Sequence, residues 1–187
     1  YHADHSFWKS ITLSVDIGAF DLTVYHLSET KINADSNIEI AYSYYTEISS
    51  VITYTSKIIN ENNVVLLTVN DASSIEVSEI VGIPVKIICL IDDANSSSKV
   101  YSVPALSLEN TYTDGYITRV KLENSGEKYY QLDETNNLVK LYNSNHTFWN
   151  EINILLPVNS TILGISHLSE TKLNVDSQLE IAYSYYS

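Results

Sequence analysis

The chain has 187 residues, 44% of them hydrophobic, and sets ten basic against twenty-three acidic side chains for a net charge of −13. Such a charge repels phosphate backbones and anionic bilayers alike, so neither nucleic acid nor membrane insertion is expected. A single cysteine permits no intrachain disulfide, no apolar run approaches the roughly 18 residues of a membrane span, and no basic-plus-apolar leader region stands at Tyr1.

The apolar pattern has a period of two rather than 3.6, which predicts an all-β chain. In chain order, strands are predicted over Ile11–Val15, Phe20–Tyr25, Ile38–Tyr44, Ser50–Ser56, Val64–Val69, Ser74–Val77 and Ile83–Ile91. They continue over Lys99–Val103, Gly115–Leu122, Lys128–Leu132, Leu138–Tyr142, Ile152–Leu156, Ile162–Ser166 and Leu179–Tyr185. Val, Ile, Thr and Tyr dominate these stretches, as pleated surfaces favour. In Ile38–Tyr44 the residues Ile38, Ile40, Tyr42 and Tyr44 share one face and Glu39, Ala41 and Ser43 the other, the alternation of a half-buried strand. Ile83–Ile91 is apolar on nearly both faces and is expected to be a central core strand. The one candidate for a helical turn lies near Ser28–Thr30, where Ser and Glu suit a cap.

Short strands at intervals of about 8–12 residues, separated by clusters such as Asn60–Asn63 and Asn70–Ser73, predict an antiparallel β-sandwich, Ig-like or jelly-roll-like. From Gly115 to Tyr142 the strands are joined by Glu123-Asn124-Ser125-Gly126 and by Asp133–Asn137, turns suited to antiparallel neighbours, so a three-stranded meander is expected there.

The strongest feature is duplication. Residues 26–45 read HLSETKINADSNIEIAYSYY and residues 167–186 read HLSETKLNVDSQLEIAYSYY, an offset of 141 that extends back without a gap to Tyr1 and Tyr142, with 22 identities in 46 aligned positions. A solenoid unit spans roughly 20–50 residues, so a period of this length is a whole domain. The expected organisation is a β-sandwich unit over 1–94, a connecting β-meander over 95–141, and an incomplete second copy of residues 1–46 over 142–187. The last segment is near the lower limit for folding alone and must lean on the preceding unit, on a neighbouring chain or on sequence beyond these residues.

Candidate chemistry is sparse. Four of the five histidines are repeat pairs, His5 with His146 and His26 with His167, and are expected to be structural. His2-Ala3-Asp4-His5 has ligand types that its counterpart Asn143–His146 largely lacks, so no metal site is expected. Asp133–Asn137 lacks the Gly and bidentate Glu of a calcium loop and reads as a hairpin turn. There is no G-x-S-x-G elbow, HExxH helix, P-loop or dinucleotide fingerprint. Cys89, inside an apolar strand, is a poor nucleophile, and Asp92-Asp93 reads as a solvated loop. No catalytic residue, metal or cofactor is expected, and no binding residue is assigned.

Tyrosine is the abundant amphipathic residue, with 15 in the chain. Tyr42, Tyr44 and Tyr45, with Tyr183, Tyr185 and Tyr186 in the second copy, place aromatic groups on both faces of a strand, and Tyr42 and Tyr44 are expected to line the core with their hydroxyls at its rim. Tyr45, Tyr129 and Tyr130 are candidates to face outward, stacking on sugars or on a neighbouring subunit. Trp8 and Trp149 are expected to plug the core. The sequons at Asn95, Asn145 and Asn159 matter only in a glycosylating compartment.

The pattern of Phe7-Trp8, Lys31–Ile40, Asn63–Leu67 and Val85–Leu90 resembles the small β-domains at the ends of bacteriophage tail-fibre and baseplate-appendage proteins. Gly126–Leu132 with Asn137–Val139 is similar to the meanders linking such domains. The chain differs in having few glycines and Asn-Ala-Asp-Ser at the turn. The resemblance implies a virion appendage, structural or host-binding, without catalytic residues. The resulting expectation is a non-catalytic structural or adhesive repeat at a virion surface or in an extracellular filament. Its partners would be copies of itself or neighbouring structural subunits, and surface glycans. The alternative is a carbohydrate-binding or hydrolytic module of a cell-surface protein.

Overall fold

Alternating β-branched and aromatic residues fold into antiparallel strands throughout. The computed structural model describes residues 4–33, 35–93, 96–174, 176 and 178–187, among which there is no helix. Fourteen strands form four sheets. The first sheet holds β1 (Ala19–Ser28), β2 (Glu39–Ile48), β3 (Val51–Asn60) and β4 (Val65–Asn70); the second holds β5 (Ala72–Ile80), β6 (Ile83–Ile91), β7 (Ser98–Ser102) and β8 (Leu108–Tyr112). The third holds β9 (Ile117–Leu122), β10 (Gly126–Asp133), β11 (Leu138–Asn143) and β12 (Phe148–Asn153); the fourth is the hairpin of β13 (Thr161–Ser169) and β14 (Glu180–Tyr186).

In every sheet the spatial order of strands follows the chain order. An Ig-like or jelly-roll topology needs Greek-key connections between non-consecutive neighbours. None occurs among the described strands, because each tight turn returns the chain directly to its own neighbour. Gly126, at φ +73°, closes one such turn between β9 and β10 where a side chain would strain the backbone.

The sheets bury their faces against one another in sequence. Ala41, Ile58 and Val69 of the first sheet share a core with Ile75, Ile87 and Cys89 of the second. The opposite face of the second sheet, through Ile88 and Val100, meets Ile117 and Tyr129 of the third. The third sheet then turns Leu122, Val139 and Leu141 towards Ile162 and Leu168 of the fourth. On the first sheet's other face, Ile38, Ile40, Tyr42 and Tyr44 pack against Ile11, Leu13 and Ala19. Strand β6 therefore has apolar residues on both faces, as its sequence predicts. Strand β2 departs from the half-buried expectation: Glu39, Ala41 and Ser43 are buried as fully as the apolar face, because the second sheet covers them.

Several other expectations change. Ile11–Val15 forms no strand. Its counterpart is paired only as far as Asn153, since β12 runs over Phe148–Asn153 rather than over Ile152–Leu156. The predicted three-stranded meander gains β12 as a fourth strand, and β8, which carries no clear alternation, was not predicted. At Ser28 the chain makes a bend and not a helical turn; the Ser28 hydroxyl oxygen accepts the N–H groups of Thr30 and Lys31.

Candidate interaction surfaces

The duplicated segments fold alike. β1–β2 and β13–β14 have the same register, Leu27 opposite Ile40 and Leu168 opposite Ile181, and the same irregularity just before His26 and His167. The loops share their Ser and Asn/Asp turn bonds and differ at Glu180, which accepts from Leu173 and Asn174, where the Glu39 carboxylate has no hydrogen-bond partner among the described residues. Ser169 Oγ accepts from Thr171 and Lys172 as Ser28 Oγ does from Thr30 and Lys31. The Asn33 and Asp35 turns recur at Asn174 and Asp176. Tyr42 donates to Ser14 O at 2.7 Å and Tyr183 to Leu155 O at 3.1 Å, so the extended segment before each hairpin crosses it at the same place.

What differs is the cover. On the fourth sheet, Leu168 is 7% exposed and Ser169 and Glu170 are buried; their counterparts Leu27, at 60%, and Glu29 are exposed. Glu170 reaches the β9–β10 turn. Its carboxylate accepts the N–H groups of Asn124 and Ser125 at 2.6 and 2.9 Å and the Ser125 hydroxyl. In return Glu123 accepts the Glu170 N–H at 2.9 Å and pairs with Lys172 at 3.4 Å. Burial works to raise the Glu170 pKa, but the Ser125 and Asn124 donors outweigh it and hold the carboxyl below its ordinary range. Trp149 packs partly buried beside this core, with the Lys128 ammonium 4.8 Å from its ring centre.

A second surface is an open cleft of about 790 Å³, lined by Tyr116, Tyr130, Asp114, Asp133, Asn136 and Lys140 among others. Lys140 and Asn136 both hold the Asp133 carboxyl below its usual range, the Asn136 hydrogen bond most strongly.

The other sequence candidates are distributed as follows. Tyr42 and Tyr44 line the core, but the Tyr44 hydroxyl is buried rather than at the rim. Tyr129, expected to face outward, is fully buried between the second and third sheets, its ring stacked 5.0 Å from His146. Tyr130 packs partly against the third core, and Tyr45 lies between Phe20 and Tyr54. Tyr186 is exposed, and so is Tyr185, whose counterpart Tyr44 is buried. Trp8 is 46% exposed and plugs no core; Trp149 is the covered member of the pair.

His146 is structural: Nδ1 lies 2.7 Å from the Tyr112 hydroxyl and Nε2 3.3 Å from Glu109, tying the β11–β12 turn to β8. His5 is exposed. His26 has a buried Nε2. His2 and Asn95 lie outside the described residues; Asn145 and Asn159 are exposed in turns. Cys89 is buried, and desolvation pushes its thiol up to about 12. Asp92 and Asp93 are exposed, and Asp93 accepts from Ser97. Asp133–Asn137 is a hairpin turn as predicted, with Asn136 bound to Asp133. Among the described residues no group of three His, Cys, Asp or Glu is placed to hold a metal.

The Glu170 clamp was not foreseen. Two of its three donors are backbone N–H groups, which leave no side-chain signature, and the third is a turn serine with many equivalents in this chain; the one available signal is that Ser-Glu-Thr-Lys recurs unchanged in both copies. No model of a known family, no curated protein and no solved structure matches the chain.

Proposed function

We propose that the protein is a non-catalytic structural or adhesive repeat of an appendage or filament, at a virion surface or outside the cell, in which units of 141 residues recur. The observation that carries this reading is the recurrence of one hairpin and its loop, with the same strand register and the same Ser and Asn/Asp turn bonds, at an offset of 141 residues, together with sheets that stack face on face. A contact surface keeps its use when it is duplicated, and each further sheet in such a pile buries apolar area while lengthening the body. The absence of a helix long and apolar enough to cross a membrane among the described residues leaves a surface or filament location open to this reading.

The tyrosine-lined cleft favours a second element, recognition of surface glycans, since Tyr116 and Tyr130 offer ring faces beside Asp114, Asn136 and Lys140 as hydrogen-bonding groups. A glycan array combined with a turnover assay tests the reading. Saturable binding without product is expected. Product formation abolished by Asp114→Asn or Asp133→Asn would establish the hydrolytic alternative instead. Proteins carrying one, two and three units, measured by small-angle scattering, should lengthen by a constant increment per unit; a fixed maximum dimension would overturn the filament reading.

A further inference from the structure

We infer that the outer face of the first sheet is a docking site for a copy of the β9–β11 sheet belonging to a preceding repeat, and that Glu29 is the residue that grips it. The inference deepens the repeat reading by naming its contact surface and its partner.

An apolar groove of about 330 Å³ runs between the segment before β1 and the β1–β2 hairpin; Trp8, Ile11, Leu13, Val24, Leu27 and Ile38 line most of it. Their counterparts 141 positions on are Trp149, Ile152, Ile154, Ile165, Leu168 and Leu179, all members of one core. Leu156, Ile162, Ile181 and Tyr183 of the second copy complete their side of that core, and the facing side comes from the third sheet: Val120, Leu122, Tyr130, Leu132, Val139 and Leu141. The groove is thus the same half of an interface whose other half is seen inside this chain. The match extends to the polar rim. Ser28 and Glu29 end β1 in the conformation of Ser169 and Glu170, with the Ser28 hydroxyl making the same turn. Glu29 is exposed where Glu170 binds Asn124 and Ser125.

The occupant follows from the geometry. The face formed by Leu122, Val139 and Leu141 is already covered by the chain's own fourth sheet, so a second molecule cannot lend that face without surrendering its own hairpin. A preceding copy of the same sheet, continuous with Tyr1, has no such conflict. On its arrival Phe7–Thr12, which is extended but not a strand in this chain, becomes the fourth strand beside a copy of β11, as Phe148–Asn153 is here.

The test is a tandem protein in which residues 1–141 are followed directly by residues 1–187, studied by hydrogen exchange. In the second unit, amides of residues 24–31 are expected to exchange at least about tenfold more slowly than in the 187-residue chain, matching residues 165–172. Glu29→Gln in that second unit should reverse much of the protection and also release the Asn124-Ser125 turn of the first unit. The same substitution in the 187-residue chain should leave its melting temperature unchanged, which separates loss of docking from loss of folding. Unchanged exchange at 24–31 in a folded tandem protein overturns the inference. Protection that appears in the 187-residue chain as concentration rises identifies a second molecule as the occupant and also overturns it. If arrays lengthen per unit while residues 24–31 stay unprotected, the repeat reading stands and this docking mode fails; if the clamp forms but arrays do not lengthen, the reverse holds.

Discussion

Arg119 on β9 is a buried charge that serves three acceptors. Its side chain is fully buried, its Nε lies 2.6 Å from Glu127, and its terminal nitrogens donate to Ser78 O at 2.8 Å and Pro84 O at 2.6 Å, joining the second and third sheets. A planar fork serves three acceptors in fixed directions, and an ammonium cannot. Arg119→Lys is therefore expected to lose about 3 kcal/mol of stability, in the range seen when one partner of a buried pair is removed, read from the urea midpoint.

Glu39 presents the opposite case. It is fully buried, and its carboxylate oxygens have no hydrogen-bond partner among the described residues. Burial, reinforced by the nearby Asp35 charge, pushes its pKa up to about 7. A carboxyl whose folded pKa lies above its unfolded value favours folding in its protonated form. Its contribution is complete below about pH 4.3, the unfolded value, and is lost as pH rises through about 7. Glu39→Gln should therefore be more stable than the parent at pH 8, by something on the order of 2 kcal/mol. The difference should shrink steadily as pH falls and approach zero only at about pH 4; a gap that does not vary with pH would contradict the assignment.

At the scale of elements, the β13–β14 hairpin is held to the third sheet by the Glu170 clamp and a modest apolar core. Glu170→Ala is expected to cost about 1–3 kcal/mol locally, because three donors lose a charged acceptor. Exchange over Thr161–Ser169 should rise and Trp149 emission shift red, while protection of Ile83–Ile91 is unchanged. The sign with pH is again fixed: a carboxyl held below its ordinary range stabilises fully above the unfolded value of about 4.3 and is lost as pH falls through its lower folded pKa. Acid should loosen this hairpin while it relieves Glu39.

The elements also separate what could be read in the sequence from what could not. Ile83–Ile91 was recognisable because apolar residues stand on both of its faces, and β10 and β11 because Asn, Asp and Gly mark their turns. Leu108–Tyr112 alternates weakly and was invisible. Ile11–Val15 has the alternation of a strand but no neighbouring strand to pair with, so pattern alone misassigned it. The second buried face of β2 escaped detection because Glu39 and Ser43 look solvent-facing; only the packing of the second sheet reveals them as interior. The duplication was legible from residue identities, whereas the difference in cover between the two hairpins required the packing of the third sheet.

For the molecule as a whole, the two ends of the pile are unlike. At one end lies the groove beside Leu27; at the other, β14 pairs only with β13, although its counterpart β2 is paired along its length with β3. Leu173 is 53% exposed where Ile32 is fully buried, and Tyr185 and Tyr186 are exposed beside the open edge. An apolar edge with unpaired N–H and C=O groups recruits other strands. Self-association that grows with concentration is expected in sedimentation, and Tyr186→Lys should weaken it without lowering the melting temperature.

The strictly sequential strand order has a further consequence for biogenesis. Every hydrogen-bonded strand pair joins consecutive strands, so a strand that opens a sheet waits only for the next segment to leave the ribosome and no nascent stretch has to wait for a distant mate. A polypeptide of many such units can solidify from its N-terminus as it emerges, each finished layer serving as the template on which the next one sets.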